Sequence, residues 1–217
     1  MKIWIVSATE TEFSIARNAY IESQFKTSHT IDWLHVGVGI VPTVFNLTQN
    51  LRNEKPDLII NVGIAGAIDK SIELCESVFI QRDEFYQWGA EDQDAFIDIF
   101  SLGFVQANEK PFKEGRLYAS VDYLQKRLSN LKRVNAITVQ KVHGNTLSIS
   151  TLHESCTDVH TESMEGAAVF YVAGMLDIPV IQLRTISNYV EPRNRAAWKI
   201  QDSIKSLNNL LISILRD

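Results

Sequence analysis

The chain has 217 residues, 45% hydrophobic and 22% charged, which suits one α/β domain with a sizeable core spanning residues 1–217. A formal net charge of −5 argues against a nucleic-acid backbone as the partner, because that needs a basic surface; a small neutral or anionic substrate remains open. Cys75 and Cys156 lack CxxC spacing and cannot form a disulfide framework, and no apolar run approaches the roughly 18–20 residues of a membrane span. The opening KIWIV run leads into acidic residues and does not read as a signal peptide, so a cytoplasmic protein is expected, with no membrane partner.

In chain order, the first expected strand, Ile3–Ala8, runs into Glu10 and Glu12 at the head of a helix expected over Glu10–Ser23. Either glutamate favours the helix start through its dipole or acts as a general base on water. A strand over Trp33–Val38 precedes Val41-Pro42, where proline opens a helix over Pro42–Glu54. The strand Asp57–Val62 then ends in NVGIAGAID. Its Gly63 and Gly66 let a backbone come close to a ligand, or simply make a tight turn, without the Lys-Ser/Thr of a P-loop.

A strand at Ser77–Gln81 gives way to residues 83–118, an aromatic and acidic excursion that breaks the rhythm. A helix is expected over Ser120–Leu131 and strands over Ala136–Val142 and Asp158–Glu162. In TESMEGAAV, Glu165 starts a helix running to Leu176, with small residues behind it that allow close packing. It is either a first-turn glutamate or a carboxylate able to accept from two neighbouring hydroxyls, as on a ribose.

The strand Val180–Ser187 delivers Asn188 at its end, with Arg184 and Ile186 two apart on one face. An Arg and an Asn buried together need partners, whether structural or functional. The last helix, Ala196–Leu215, aligns Ile200, Ile204, Leu207, Leu211 and Ile214 on one side. The five histidines lack ligand spacing such as HExxH, so no metal is expected. His143 either lines a pocket or takes a surface or core role.

Strands alternating with helices predict an α/β fold: a three-layer α/β/α arrangement with a mixed, mostly parallel central sheet. Ligands of such sheets bind beyond the carboxyl ends of strands, where both carboxylates and the Asn188 carboxamide fall. That set, without a nucleophilic Ser or Cys motif, suits breaking a glycosidic bond to a purine.

Together SATETE, NVGIAGAID, TESMEGAAV and RTISN resemble the purine nucleoside phosphorylase/nucleosidase superfamily, in the branch of methylthioadenosine/S-adenosylhomocysteine nucleosidases. Within it, WGAED, ISN and YVEPRNRAAW look like the futalosine hydrolases, which release hypoxanthine from futalosine in menaquinone biosynthesis. The resemblance implies a homodimer or higher homo-oligomer with no cofactor, acting on a small purine nucleoside. It implies Glu12 as the water-activating base, Arg184 near the attacking water, and Met164 and Glu165 on the ribose. Ala65 and Gly66 become a glycine-rich wall, and Asn188 faces the purine N7.

The methylthioadenosine branch has aspartate where this chain has Asn188. An amide can donate to a 6-oxo oxygen while its carbonyl accepts from a protonated N7, which favours hypoxanthine over adenine. Phe85, Trp88, Phe96 and Arg116 are available for a benzoate-bearing arm. A phosphorylase, an adenine-releasing nucleosidase and a non-catalytic nucleoside-binding protein stay open.

Overall fold

The structure, a computed structural model, describes residues 1–120, 124 and 126–217. Its elements are β1 (Lys2–Ser7), α1 (Ser14–Ile21), β2 (Thr30–His35), α2 (Ile40–Leu51), β3 (Leu58–Ala67), β4 (Ser77–Phe85), β5 (Gly89–Asp92), β6 (Ala95–Asp98), β7 (Leu117–Tyr118), β8 (Lys132–Thr138), α3 (Thr146–Ser155), β9 (Thr161–Ser163), α4 (Gly166–Met175), β10 (Val180–Tyr189) and α5 (Ile200–Leu215).

The sheet is mixed, and five of its strands close on themselves. β3 pairs with β10, β10 with β4, β4 with β8, β8 with β9, and β9 returns to β3. β1 and β2 extend from β3 as a parallel flap. This corrects the three-layer expectation: the interior is a barrel-like ring, not an open sheet between two helical layers. Closure follows from length. β3 has ten residues, but β1 pairs with it only as far as Asn61 and β9 begins only at Gly66. One edge of β3 between those two points is taken by neither strand.

The apolar pattern explains the rest. Ile3, Ile5 and Val6 of β1 are fully buried, and each such side chain stabilises the fold by roughly 1.5–3 kcal/mol. α4 reads GAAVFYVAGM and buries seven of its ten residues, because it is wrapped by strands and α2 rather than resting on one surface. α5 presents Ile204, Leu207, Leu211 and Ile214 to the core as its spacing predicts, with Asn208 buried on the same face.

Three segments depart from the sequence reading or add to it. The helix over Ser120–Leu131 lies partly outside the described residues, and residues 126–130 form turns. Residues 146–155 form α3, capped by the Asn145 side chain accepting from Ser148 N–H at 2.9 Å. The excursion 83–118 extends β4, forms the β5–β6 hairpin and returns as β7. Its aromatic rings, Phe85, Trp88, Phe100 and Phe112, pack on one another and on Tyr171 of α4.

Candidate active site

A cavity of about 380 Å³ opens at the carboxyl ends of β1, β3 and β10, within the size range of small-molecule sites. Glu12, Ala65, Gly66, Met164, Glu165 and Asn188 line it together. These are six of the seven residues to which the resemblance gives a role.

Glu12 ends a 3₁₀ turn after β1, and its carboxylate fills the vacated edge of β3. Oε1 accepts from Ile64 N–H at 3.1 Å, and Oε2 accepts from Thr9 N–H and Thr9 Oγ1 at 2.9 and 3.1 Å. From behind, Asn208 of α5 donates to the Glu12 carbonyl at 3.0 Å and accepts from Ala16 N–H at 2.8 Å. Glu10 is a different kind of residue: half-exposed and ion-paired with Arg17 at 2.5 Å, outside the cavity. The structure thereby separates the two glutamates that the sequence offered.

Glu165 precedes α4, and its Oε1 accepts from Gly39 N–H at 2.7 Å. Burial pushes its carboxyl above the ordinary value, opposed by the Gly39 bond and Arg184 and reinforced by Glu12. Gly39 has φ +92°, a left-handed conformation that suits glycine, at the start of α2.

Arg184 does not line the cavity. It is fully buried behind Gly63, donating from Nη2 to Asn61 Oδ1 at 2.7 Å. A Cβ on Gly63 would sit 2.9 Å from Glu12 Oε1 and 3.0 Å from Arg184 Nη1, so both groups need glycine there. Burial lowers the guanidinium's pKa, while Glu165, Glu12 and Asp83 raise it. Asp83 is the unforeseen member of this charged cluster. It accepts from Thr138 Oγ1 at 3.0 Å and Gln182 Nε2 at 3.1 Å, and burial raises its pKa to about 6.

Asn188 and Arg184 were expected on one strand face. A bulge between Ile186 and Asn188 intervenes, so Ile186 pairs with Ala65 and Asn188 with Gly66. Ser187 and Asn188 therefore both reach the cavity, and Arg184 lies behind it. Ser187 Oγ donates to Asn188 Oδ1 at 2.8 Å and Asn188 Nδ2 donates to Tyr189 O at 3.0 Å. Those bonds fix the amide's orientation and leave one N–H and one oxygen lone pair for a ligand.

The phosphorylase superfamily model matches residues 3–216. The chain belongs to that superfamily. It is 28% identical over 153 residues to futalosine hydrolase of Streptomyces coelicolor, a match covering 70% of this chain and 63% of that protein, so the alignment spans less than two thirds of its length. It is 26% identical to 5'-methylthioadenosine/S-adenosylhomocysteine nucleosidase of Maridesulfovibrio salexigens over the whole of both chains. The Neisseria meningitidis nucleosidase of the same name, solved with methylthio-immucillin-A, superposes with a TM-score of 0.79 over 99% of this chain and 98% of its own, at 13% identity. That likeness confirms the nucleosidase-like fold.

For a member of this superfamily, two further pairs stand out at the cavity. Arg193 and Trp198 line it, with the guanidinium 5.1 Å from the indole centroid. His143 and Glu162 line it as a bonded pair. Phe85, Trp88, Phe96 and Arg116 instead line a second, separate cavity. Sequence reading missed Arg193 and Trp198 although both lie in the quoted YVEPRNRAAW segment. It missed Glu162 although that residue stands three before Glu165. No group of three or more His, Cys, Asp or Glu residues suited to a metal occurs among the described residues. None of the described helices is long and apolar enough to cross a membrane.

Proposed function

We propose that this chain hydrolyses the N-glycosidic bond of a 6-oxopurine nucleoside, futalosine, to hypoxanthine and dehypoxanthine futalosine. The observation that carries the reading is the Asn188 amide, held by Ser187 and Tyr189 with one donor and one acceptor free at the cavity. That pair matches a 6-oxo oxygen and a protonated N7. A 6-amino group would meet a donor with a donor, a mismatch worth up to roughly 10⁴–10⁵ in discrimination. Arg193 over Trp198 supports the same substrate, since an aromatic carboxylate on the 5' arm calls for a cation and a ring.

In this reading Glu12 takes a proton from a water that attacks the anomeric carbon, passing through an oxocarbenium-like transition state. Its fixed bonds to Ile64 and Thr9 aim it without immobilising all its lone pairs. Glu165 holds the ribose hydroxyls with the oxygen Gly39 leaves free, beside Met164. Arg184 acts from behind the wall, offsetting the charge of Glu12 and Glu165. The working molecule is a homo-oligomer.

A second reading, release of adenine from methylthioadenosine, is favoured by the end-to-end match to the Maridesulfovibrio nucleosidase. Chromatography of the base released from futalosine, inosine and methylthioadenosine, each with and without phosphate, decides between them. Hypoxanthine from futalosine, independent of phosphate, is expected. Adenine from methylthioadenosine would establish the second reading, and dependence on phosphate would indicate a phosphorylase.

A further inference from the structure

An asparagine holds a purine but cannot protonate it, and a purine leaving as an anion is a poor leaving group. The cavity contains a titratable pair that the mechanism above does not use. Glu162 sits in β9, almost completely buried, opposite Gly66 of β3. Both of its carboxylate oxygens are taken by one residue: Oε1 accepts from His143 N–H at 3.1 Å, and Oε2 lies 2.6 Å from His143 Nδ1.

A carboxylate accepts only, so Nδ1 carries the proton and Nε2 is the nitrogen left for chemistry. Tyr86 packs edge-on to the imidazole at 5.2 Å between centroids, which fixes the ring further. A base oriented by a buried carboxylate is the arrangement that prepares a histidine for proton transfer. Its place is suitable too. A Cβ on Gly66 would meet Asn188 Nδ2 at 3.2 Å and Glu162 Cγ at 3.5 Å, so the amide and the carboxylate flank one glycine.

We propose that His143, held by Glu162 and taking a proton from solvent at Nε2, is the acid that protonates the departing purine. As water gives its proton to Glu12 and its oxygen bonds to the anomeric carbon, the bond to N9 breaks and its electron pair enters the purine. N7 then takes the Nε2 proton of His143, which becomes neutral. The new N7–H donates to Asn188 Oδ1. Glu12 has gained the proton that His143 has lost, so solvent exchange resets both. The inference rests on the nucleosidase reading but not on the identity of the 5' arm.

The test compares each nucleoside with its N7-methylated form, which carries the leaving-group charge already and has no site for the proton. Wild type is assayed first on futalosine, inosine and methylthioadenosine, and the variants on whichever it cleaves. Cleavage of methylthioadenosine alone would thus overturn the substrate proposal and leave this one open to measurement; cleavage of none would overturn both.

His143→Asn keeps a donor toward Glu162 and removes Nε2. It should lower kcat on the unmodified nucleoside by roughly 10²–10⁴ and leave the N7-methylated one nearly unchanged. Glu162→Gln, which keeps the histidine, should show the same pattern with a smaller loss, and thermal melts confirm folding. A loss shared equally by both nucleosides, or no loss on either, overturns the proposal.

Discussion

At the residue scale, the site depends on which carboxylate or amide is free to act. Glu12→Gln keeps the shape of the 3₁₀ turn but cannot take a proton, so kcat for base release should fall by roughly 10²–10⁴ with the melting temperature little changed. Near-normal turnover would remove Glu12 from its proposed role. Asn188→Asp should raise the ratio of kcat/KM for methylthioadenosine over futalosine, because a protonated aspartate gives N7 a proton and accepts from a 6-amino group. An unchanged ratio would mean that base choice lies elsewhere. The strand-end residues were legible in the sequence because each follows a run of clear periodicity. Arg184 was legible as a buried cation, but its exclusion from the cavity was not. That depends on the bulge after Ile186, which changes the facing of Asn188 without altering the apolar pattern. Glu162 was overlooked, and His143 was left between a pocket and a surface or core role, because their partnership joins the loop after β8 to β9 and is invisible to spacing along the chain.

At the element scale, the position of Glu12 is set by a helix far away in sequence. Asn208 of α5 is completely buried and joins Ala16, Glu12 and Ile204 by three hydrogen bonds. Asn208→Ala leaves the Glu12 carbonyl and Ala16 N–H without those partners. It should cost about 1–3 kcal/mol in denaturant unfolding and lower kcat as well, since the turn loses its support. A destabilised variant with full kcat would show that α5 holds the fold but not the base. α5 itself could be read from its apolar spacing, as could β1, β3 and α4 from their buried runs. α3 could not, because its short polar stretch carries only two buried residues, Ile149 and Leu152. Ring closure was hidden for another reason: nothing in the composition of β3 states that β9 will meet its second half.

At the scale of the whole molecule, buried charge ties stability to pH. Asp83 has its carboxyl raised from 3.8 to about 6 by burial, so the folded chain binds this proton more tightly than the unfolded chain. The stability it contributes is complete below about pH 4 and is lost as pH rises to about 6. A loss of up to roughly 3 kcal/mol is expected over that interval. Glu165, also raised by burial, acts in the same direction. Urea unfolding of wild type and Asp83→Asn between pH 4 and 7 should show the decline flattened in the variant, whose amide can face the buried unpartnered oxygen of Gln182. Parallel curves would reject the assignment. Oligomerisation is testable at the same scale. Val41 and Phe45, one helical turn apart on α2, are 71% and 62% exposed, close to Val38 at the cavity rim. Sedimentation should report a dimer that Phe45→Glu weakens; a wild-type monomer would exclude the homo-oligomer.

The bond between Glu12 and Asn208 spans 196 positions of the chain. During synthesis the first strand and its glutamate leave the ribosome early, yet the turn that aims the glutamate waits for a residue made almost two hundred peptide bonds later. A partial chain can form the Thr9 and Ile64 bonds to the Glu12 carboxylate but lacks the Asn208 bond behind the turn, so full activity should appear only when α5 has emerged and docked. A chain clipped before α5 would retain all ten strands and all of the cavity's glutamates, and still lack the Asn208 support behind the Glu12 turn.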